Sequence, residues 1–205
     1  MIAEALEVQR TTPLKKVKTP RWVSLEEYLK REAKSVEKHE YQNGKIVRMP
    51  YARGPHNEIS ANMVGALKNA VKGLSKKYRV FSSDQKIYFP ELNHGSYADA
   101  LAIAEKPEYW QGNDLLLINP LVVVEVLSDS TESYDRQGKF AKYKTLPSFR
   151  EYVLVKQDKC YVETWFRQEP GLWRETIVTD LADTITLHSI GCTISLADIY
   201  ENIEF

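Results

Sequence analysis

Apolar residues between His56 and Lys77 fall at Ile59, Met63, Leu67, Ala70, Val71 and Leu74. That helical spacing predicts an amphipathic helix of about five turns. Ahead of it, Ser24-Leu25-Glu26-Glu27 reads as a capping box, the Ser hydroxyl taking a free helix N–H while Glu27 reaches back to the cap, and it opens a short helix from about Leu25 to Ala33. Asn43-Gly44, inside HEYQNGKIVRMP, predicts a two-residue hairpin turn because both positions accept positive φ. Past the long helix the pattern shortens to strands at Tyr78–Ser82, Lys86–Phe89, Ala98–Ala104 and Leu121–Leu127, followed by a helix over about Tyr134–Lys144. Further strands are expected near Glu151–Val155, Tyr161–Gln168, Trp173–Val178 and Thr184–Leu187, then a last short helix, Leu196–Asn202. Helices flanking a mixed central sheet, with meandering strands late in the chain, define an α/β (α+β) protein.

Composition narrows this picture. The 205 residues hold 28 Lys plus Arg and 28 Asp plus Glu, a formal charge of zero. A chain of this length removes roughly 70% of its unfolded surface on folding, so neither disulfide nor metal is needed merely to hold it together. A protein that coats nucleic acid non-specifically would be plainly basic, so any polyanion must meet positive charge concentrated locally. The longest apolar run, Leu121–Leu127, is interrupted by Glu125 and falls far short of the roughly 20 residues a membrane span needs. With charges in MIAEALEVQR where a secretory segment would be apolar, and only Cys160 and Cys192, the expected setting is the reducing cytoplasm, with no membrane partner. Residues 1–20 show no periodicity and read as an N-terminal arm carrying Lys15, Lys16 and Lys18, and residues 21–205 as a single domain.

Candidate chemistry begins in LVVVEVLSDST. Glu125 stands in a strand that otherwise reads as buried on both faces, and a buried unpaired carboxylate is costly. It must pair with a cation, sit protonated, or open into a cleft and bind a metal. Asp99, in YADALAI, is a second lone carboxylate in an apolar run; alone it is as readily a strand-edge residue, but beside Glu125 it would give a hard cation two oxygen donors. The helix that follows presents Asp135, Lys139 and Tyr143 on one face at four-residue spacing. This is either a solvated ion pair or an ammonium turned back toward the strand. Glu40 precedes the hairpin turn and His56 opens the long helix, positions that are commonly solvated and without a role. His39, His94 and His188 are too dispersed for a zinc site, and no nucleophile elbow or phosphate loop occurs.

Taken in order, EYQNGKIVRMP, a helix opened by His56, YADALAI, NPLVVVEVLSDST, DRQGKFAKY and FREYVLV resemble the Uma-two family of prokaryotic restriction endonuclease-type proteins, within the PD-(D/E)XK nuclease superfamily. The resemblance spans roughly Trp22 to Glu204 and implies a restriction-endonuclease-like core. It implies that Asp99 and Glu125 are metal-binding carboxylates for Mg²⁺ (or Mn²⁺), that Lys139 is the catalytic lysine, and that Glu40 adds a ligand or positions water. His56, Tyr143 and Asp135 would support them. The superfamily usually sets its lysine two residues after the acid, where this chain has Leu127; in this family the lysine lies on the following helix, where Lys139 stands. Ala98 replaces a usual proline that supplies no ligand. The implied activity is metal-dependent endonucleolytic hydrolysis of nucleic acid, DNA foremost; the alternative is a non-catalytic nucleic-acid-binding or interaction module keeping the nuclease fold. Cutting two strands with one site per chain is most simply met by a homodimer, for which Tyr161, Trp165, Phe166 and Trp173 are the expected interface.

Overall fold

The computed structural model describes residues 22–205; the expected N-terminal arm, residues 1–20, lies outside the described residues. Helix α1 (Leu25–Glu32) starts where the capping box places it, with the Ser24 hydroxyl accepting the Glu27 N–H at 3.2 Å, while the Glu27 carboxylate takes Arg31 at 2.8 Å. The hairpin β1 (His39–Gln42) and β2 (Lys45–Arg48) turns at Asn43-Gly44, both at positive φ. Helix α2 (Gly54–Ala70) is shorter than its apolar periodicity, because the chain turns through Gly73 at φ +84. Val71 and Leu74 still pack on the core from that turn.

The strands form two mixed sheets and a hairpin rather than one central sheet. The six-stranded sheet runs β11-β10-β9-β8-β6-β3 and the five-stranded sheet β2-β1-β5-β4-β7, with β12-β13 apart. Their ranges are β3 Tyr78–Ser82, β4 Lys86–Phe89, β5 His94–Tyr97, β6 Ala100–Ala104, β7 Leu116–Leu117 and β8 Val122–Leu127. They continue as β9 Glu151–Lys156, β10 Val162–Glu169, β11 Leu172–Val178, β12 Thr184–Leu187 and β13 Cys192–Ser195. Strand β8 runs parallel to β9 and antiparallel to β6, so it lies in the middle of the larger sheet, where all six of its residues are buried.

The pleat divides β8 between two cores. Val122, Val124 and Val126 face α2, the β12-β13 hairpin and α4 (Leu196–Ile199), where Ala100 and Ala102 let α2 sit close to the sheet. Val123 and Leu127 face Phe89, Phe140, Phe149 and Tyr152 on the other side. Glu125 shares that second face. Between β8 and β9 the crossover contains a π-helical segment, Tyr134–Lys139, continuing into α3 (Phe140–Tyr143), where a plain α-helix over Tyr134–Lys144 was expected.

The run Tyr97–Ile103 is not one strand. Tyr97 ends β5 in the smaller sheet, Ala100 begins β6 in the larger one, and Ala98-Asp99 crosses between them. The aromatic residues expected at an interface are drawn partly inward: Trp165 and Trp173 lie 5.6 and 5.0 Å from the Phe140 ring. Among the described residues no helix is long and apolar enough to cross a membrane.

Candidate active site

The seam between the two sheets opens into a cleft of about 770 Å³ whose walls include Glu40, His56, Asp99, Glu125, Asp135 and Lys139. Asp99 owes its place to the crossing point. Its N–H donates to the Val124 carbonyl at 3.1 Å and its Oδ2 accepts the Val126 N–H at 2.7 Å, fastening it to β8 on both sides of Glu125. Glu125 points from β8 toward the crossover helix. Its Oε2 meets Lys139 Nζ at 2.8 Å and its Oε1 accepts the Tyr143 hydroxyl at 2.8 Å. Lys139 also donates to the Tyr97 carbonyl at 3.2 Å and lies 3.2 Å from Asp135 Oδ1.

Glu40 enters from β1. Its Oε1 accepts the Ser96 hydroxyl, and its Oε2 accepts Tyr134 at 2.9 Å and Gln42 Nε2 at 2.9 Å. His56 Nε2, in the first turn of α2, lies 3.4 Å from Asp99 Oδ2. The structure thus brings together all seven candidates named from the sequence. It adds Tyr97, Ser96, His94 and Tyr134, which sequence reasoning missed. The strand that carries Ser96 and His94, HGSY, has no apolar alternation to reveal it, and all four of its residues are buried.

Charge is unbalanced in this cleft. Burial opposes the positive charge of Lys139, but Glu125, Asp135, Glu40 and Asp99 together hold its pKa well above the ordinary lysine value. It is a permanent cation, not a base. Burial pushes the Glu125 carboxyl well up, against the pull of Lys139. Burial raises Asp99 too, offset by His56 and Lys139. Glu40 is lowered because Lys139, Ser96, Gln42 and His94 together outweigh its burial, so it stays ionised. Asp135 Oδ1 is buried without a hydrogen-bond partner.

Four carboxylates around one lysine, all offering oxygen, suit a further hard divalent cation. Among the described residues no group of three or more His, Cys, Asp or Glu forms a ready-made metal cage. Mg²⁺ commonly takes only one or two carboxylates and completes its shell with water and substrate phosphate oxygens, so the acidic pair fits that pattern. Each engaged Glu125 oxygen retains a second lone pair.

Residues 25–197 match the Uma2 family model, described as "Putative restriction endonuclease", and the chain belongs to that family. In fold, it is similar to the crystal structure of "a putative nuclease belonging to DUF820" from Anabaena variabilis ATCC 29413, with a TM-score of 0.65 and 19% identity over 86% of this chain and 97% of that one. In sequence it is 32% identical over 145 residues to the uncharacterized protein sll1609 of Synechocystis sp. (strain ATCC 27184 / PCC 6803 / Kazusa), covering 71% of this chain and 80% of that one. The uncharacterized protein slr1290 of the same organism is 30% identical over 183 residues, 89% of this chain and 94% of the other.

Proposed function

We propose that this protein is a Mg²⁺-dependent (or Mn²⁺-dependent) endonuclease that hydrolyses phosphodiester bonds in DNA. The observation that carries the reading is the convergence of Asp99, Glu125, Asp135 and Glu40 on the buried cation Lys139 inside one cleft. Asp99 and Glu125 would hold the metal, which when bound polarises a phosphoryl oxygen and makes water more acidic. Hydrolysis joins a water oxygen to phosphorus and breaks the bond from phosphorus to the sugar oxygen. Lys139, always charged, faces the negative charge that grows on the phosphoryl oxygens, and it needs no reorganisation because Tyr97 and Glu125 already hold it. Tyr143 orients Glu125, and His56 lies where it can exchange a proton with Asp99. A homodimer would place two such sites on one duplex.

The test is titration calorimetry with Mn²⁺ or Mg²⁺ alongside nicking of supercoiled plasmid, on wild type and Glu125→Gln. Metal heat and nicking should disappear together in the variant, with the rate falling more than about 100-fold. A wild type that neither binds metal nor nicks plasmid would overturn the reading and leave a non-catalytic module on the same fold.

A further inference from the structure

The mouth of the cleft differs from its acidic floor. The hairpin strand β2 and the segment 49–53 that joins it to α2 form one lip, where Tyr51 is 72% exposed beside Val47 and a fully open Val36. Exposed aromatics occur singly on most proteins and mean little alone. Tyr51 is different in being held. Arg48 lies over its ring at 5.3 Å, the Tyr51 hydroxyl donates to Glu37 Oε1 at 3.2 Å, and Arg48 clasps the same oxygen at 2.6 Å.

Three surface groups locked in this way gain little stability, since such surface pairs contribute about 1 kcal/mol or less. What the clasp does achieve is an aromatic plane fixed in orientation with most of its surface open to water. Cations and their carboxylate partners share this lip. Arg48 and Arg53 line the same cleft wall, as does Lys38, whose Nζ meets Asp84 at 2.7 Å. Arg53 precedes α2, whose first turn has no acidic residue and no side-chain cap. Tyr51 is five residues from His56, at most about 17 Å of extended chain, and His56 touches Asp99. That reach corresponds to no more than about five nucleotides at the stacked rise of a strand.

Resting on the nuclease reading of the cleft, we infer that this lip binds the DNA strand next to the scissile phosphate by stacking an unpaired base on Tyr51, while Arg48 and Arg53 contact the flanking phosphates. A base inside a duplex has both faces covered by its neighbours. Only a single strand, a flap or a frayed end offers a free face to an external ring. The substrate class this geometry favours is therefore DNA with unpaired nucleotides beside the cut, rather than an uninterrupted duplex. Base stacking on an aromatic side chain is tolerant of sequence, so the lip selects strand structure, not base identity.

The experiment is fluorescence anisotropy with a labelled single-stranded oligonucleotide that has no self-complementarity and with the duplex made by annealing it to its full complement. The proteins are wild type, Tyr51→Ala, Tyr51→Phe and Glu125→Gln; the two Tyr51 variants should keep the wild-type melting temperature because Tyr51 is exposed, and every protein is assayed at a temperature where it is folded. Tyr51→Ala should weaken single-strand binding by about 5- to 150-fold, Tyr51→Phe should retain most of it, and duplex binding should move little in either. Equal single-strand binding by wild type and Tyr51→Ala, or an equal loss on both DNAs, would overturn the inference and mark the lip as a surface for another kind of partner. Glu125→Gln separates the two proposals. If it loses Mn²⁺-dependent cleavage of the single strand but binds that strand as wild type does, both stand; if no protein cleaves either DNA while Tyr51 still governs single-strand binding, only the catalytic reading fails.

Discussion

Lys139 shows how one side chain can hold a site together. It is 7% exposed, and Glu125 and Asp135 both lie within 3.2 Å of its Nζ. Removing one member of a buried ion cluster leaves the others uncompensated, a larger cost than the pair's own net value. Lys139→Met should therefore destabilise the protein by about 3 kcal/mol at pH 7 by urea unfolding, and should abolish nicking. A Lys139→Met variant as stable as wild type at that pH would show that Lys139 does not balance buried negative charge in the cleft. At this scale the sequence was informative about the carboxylates, because a charge in VVVEVL has no inexpensive place to go. It was silent on Tyr134, Ser96 and His94, whose roles depend on which strand faces them.

At the scale of elements, the crossover from β8 to β9 brings Tyr134, Asp135, Lys139 and Tyr143 to the cleft from one short stretch of chain. Its π-helical segment places Gly138 against the Tyr134 ring, where an added Cβ would stand 2.6 Å from Cδ2. That ring has little freedom to retreat, since its hydroxyl donates to Glu40 at 2.9 Å and accepts from Lys142 at 2.7 Å. In an ordinary exposed helix Gly→Ala adds about 1 kcal/mol of stability. Here Gly138→Ala should instead lower the melting temperature and reduce nicking, because Tyr134 is pushed off Glu40. A stabilised, fully active variant would show that the contact is dispensable. The capping box and the Asn-Gly turn were readable from sequence because local backbone chemistry sets them. The π-helical segment was not, since Asp135, Lys139 and Tyr143 have the spacing of a plain α-helix.

At the scale of the whole molecule, the five-stranded sheet sets the buried His94 beside Glu40 and the Phe89 ring. Burial outweighs the attraction of Glu40 and pulls the His94 imidazole down to about 4 from 6.5. A histidine kept neutral in the fold contributes stability above its unfolded value, and that contribution is lost as pH falls from about 6.5 toward about 4. Between pH 7 and pH 4.5 the wild type should lose about 2 kcal/mol more than His94→Leu by urea unfolding. Parallel losses would place the acid sensitivity elsewhere. The proposed dimer also belongs to this scale. Strand β11 forms an edge of the six-stranded sheet with Leu172 and Ile177 about half exposed, a surface open to pairing. Sedimentation should find a dimer that Ile177→Lys converts to monomer; a wild-type monomer at all concentrations would dismiss it.

By itself the sequence determined which segments are helix or strand in most of the chain, and that Glu125 needed a partner. These follow from local periodicity and from the cost of burying charge, both of which act over a few residues. Tertiary structure decided that the strands divide into two sheets, that Asp99 stands at the crossing between them, and that Glu40 and His56 arrive from opposite sides. Those outcomes rest on contacts between residues tens of positions apart, such as Tyr134 with Glu40 and Lys139 with the Tyr97 carbonyl. No short-range pattern encodes such a meeting; it exists only once burial of both faces of β8 has brought the two sheets together.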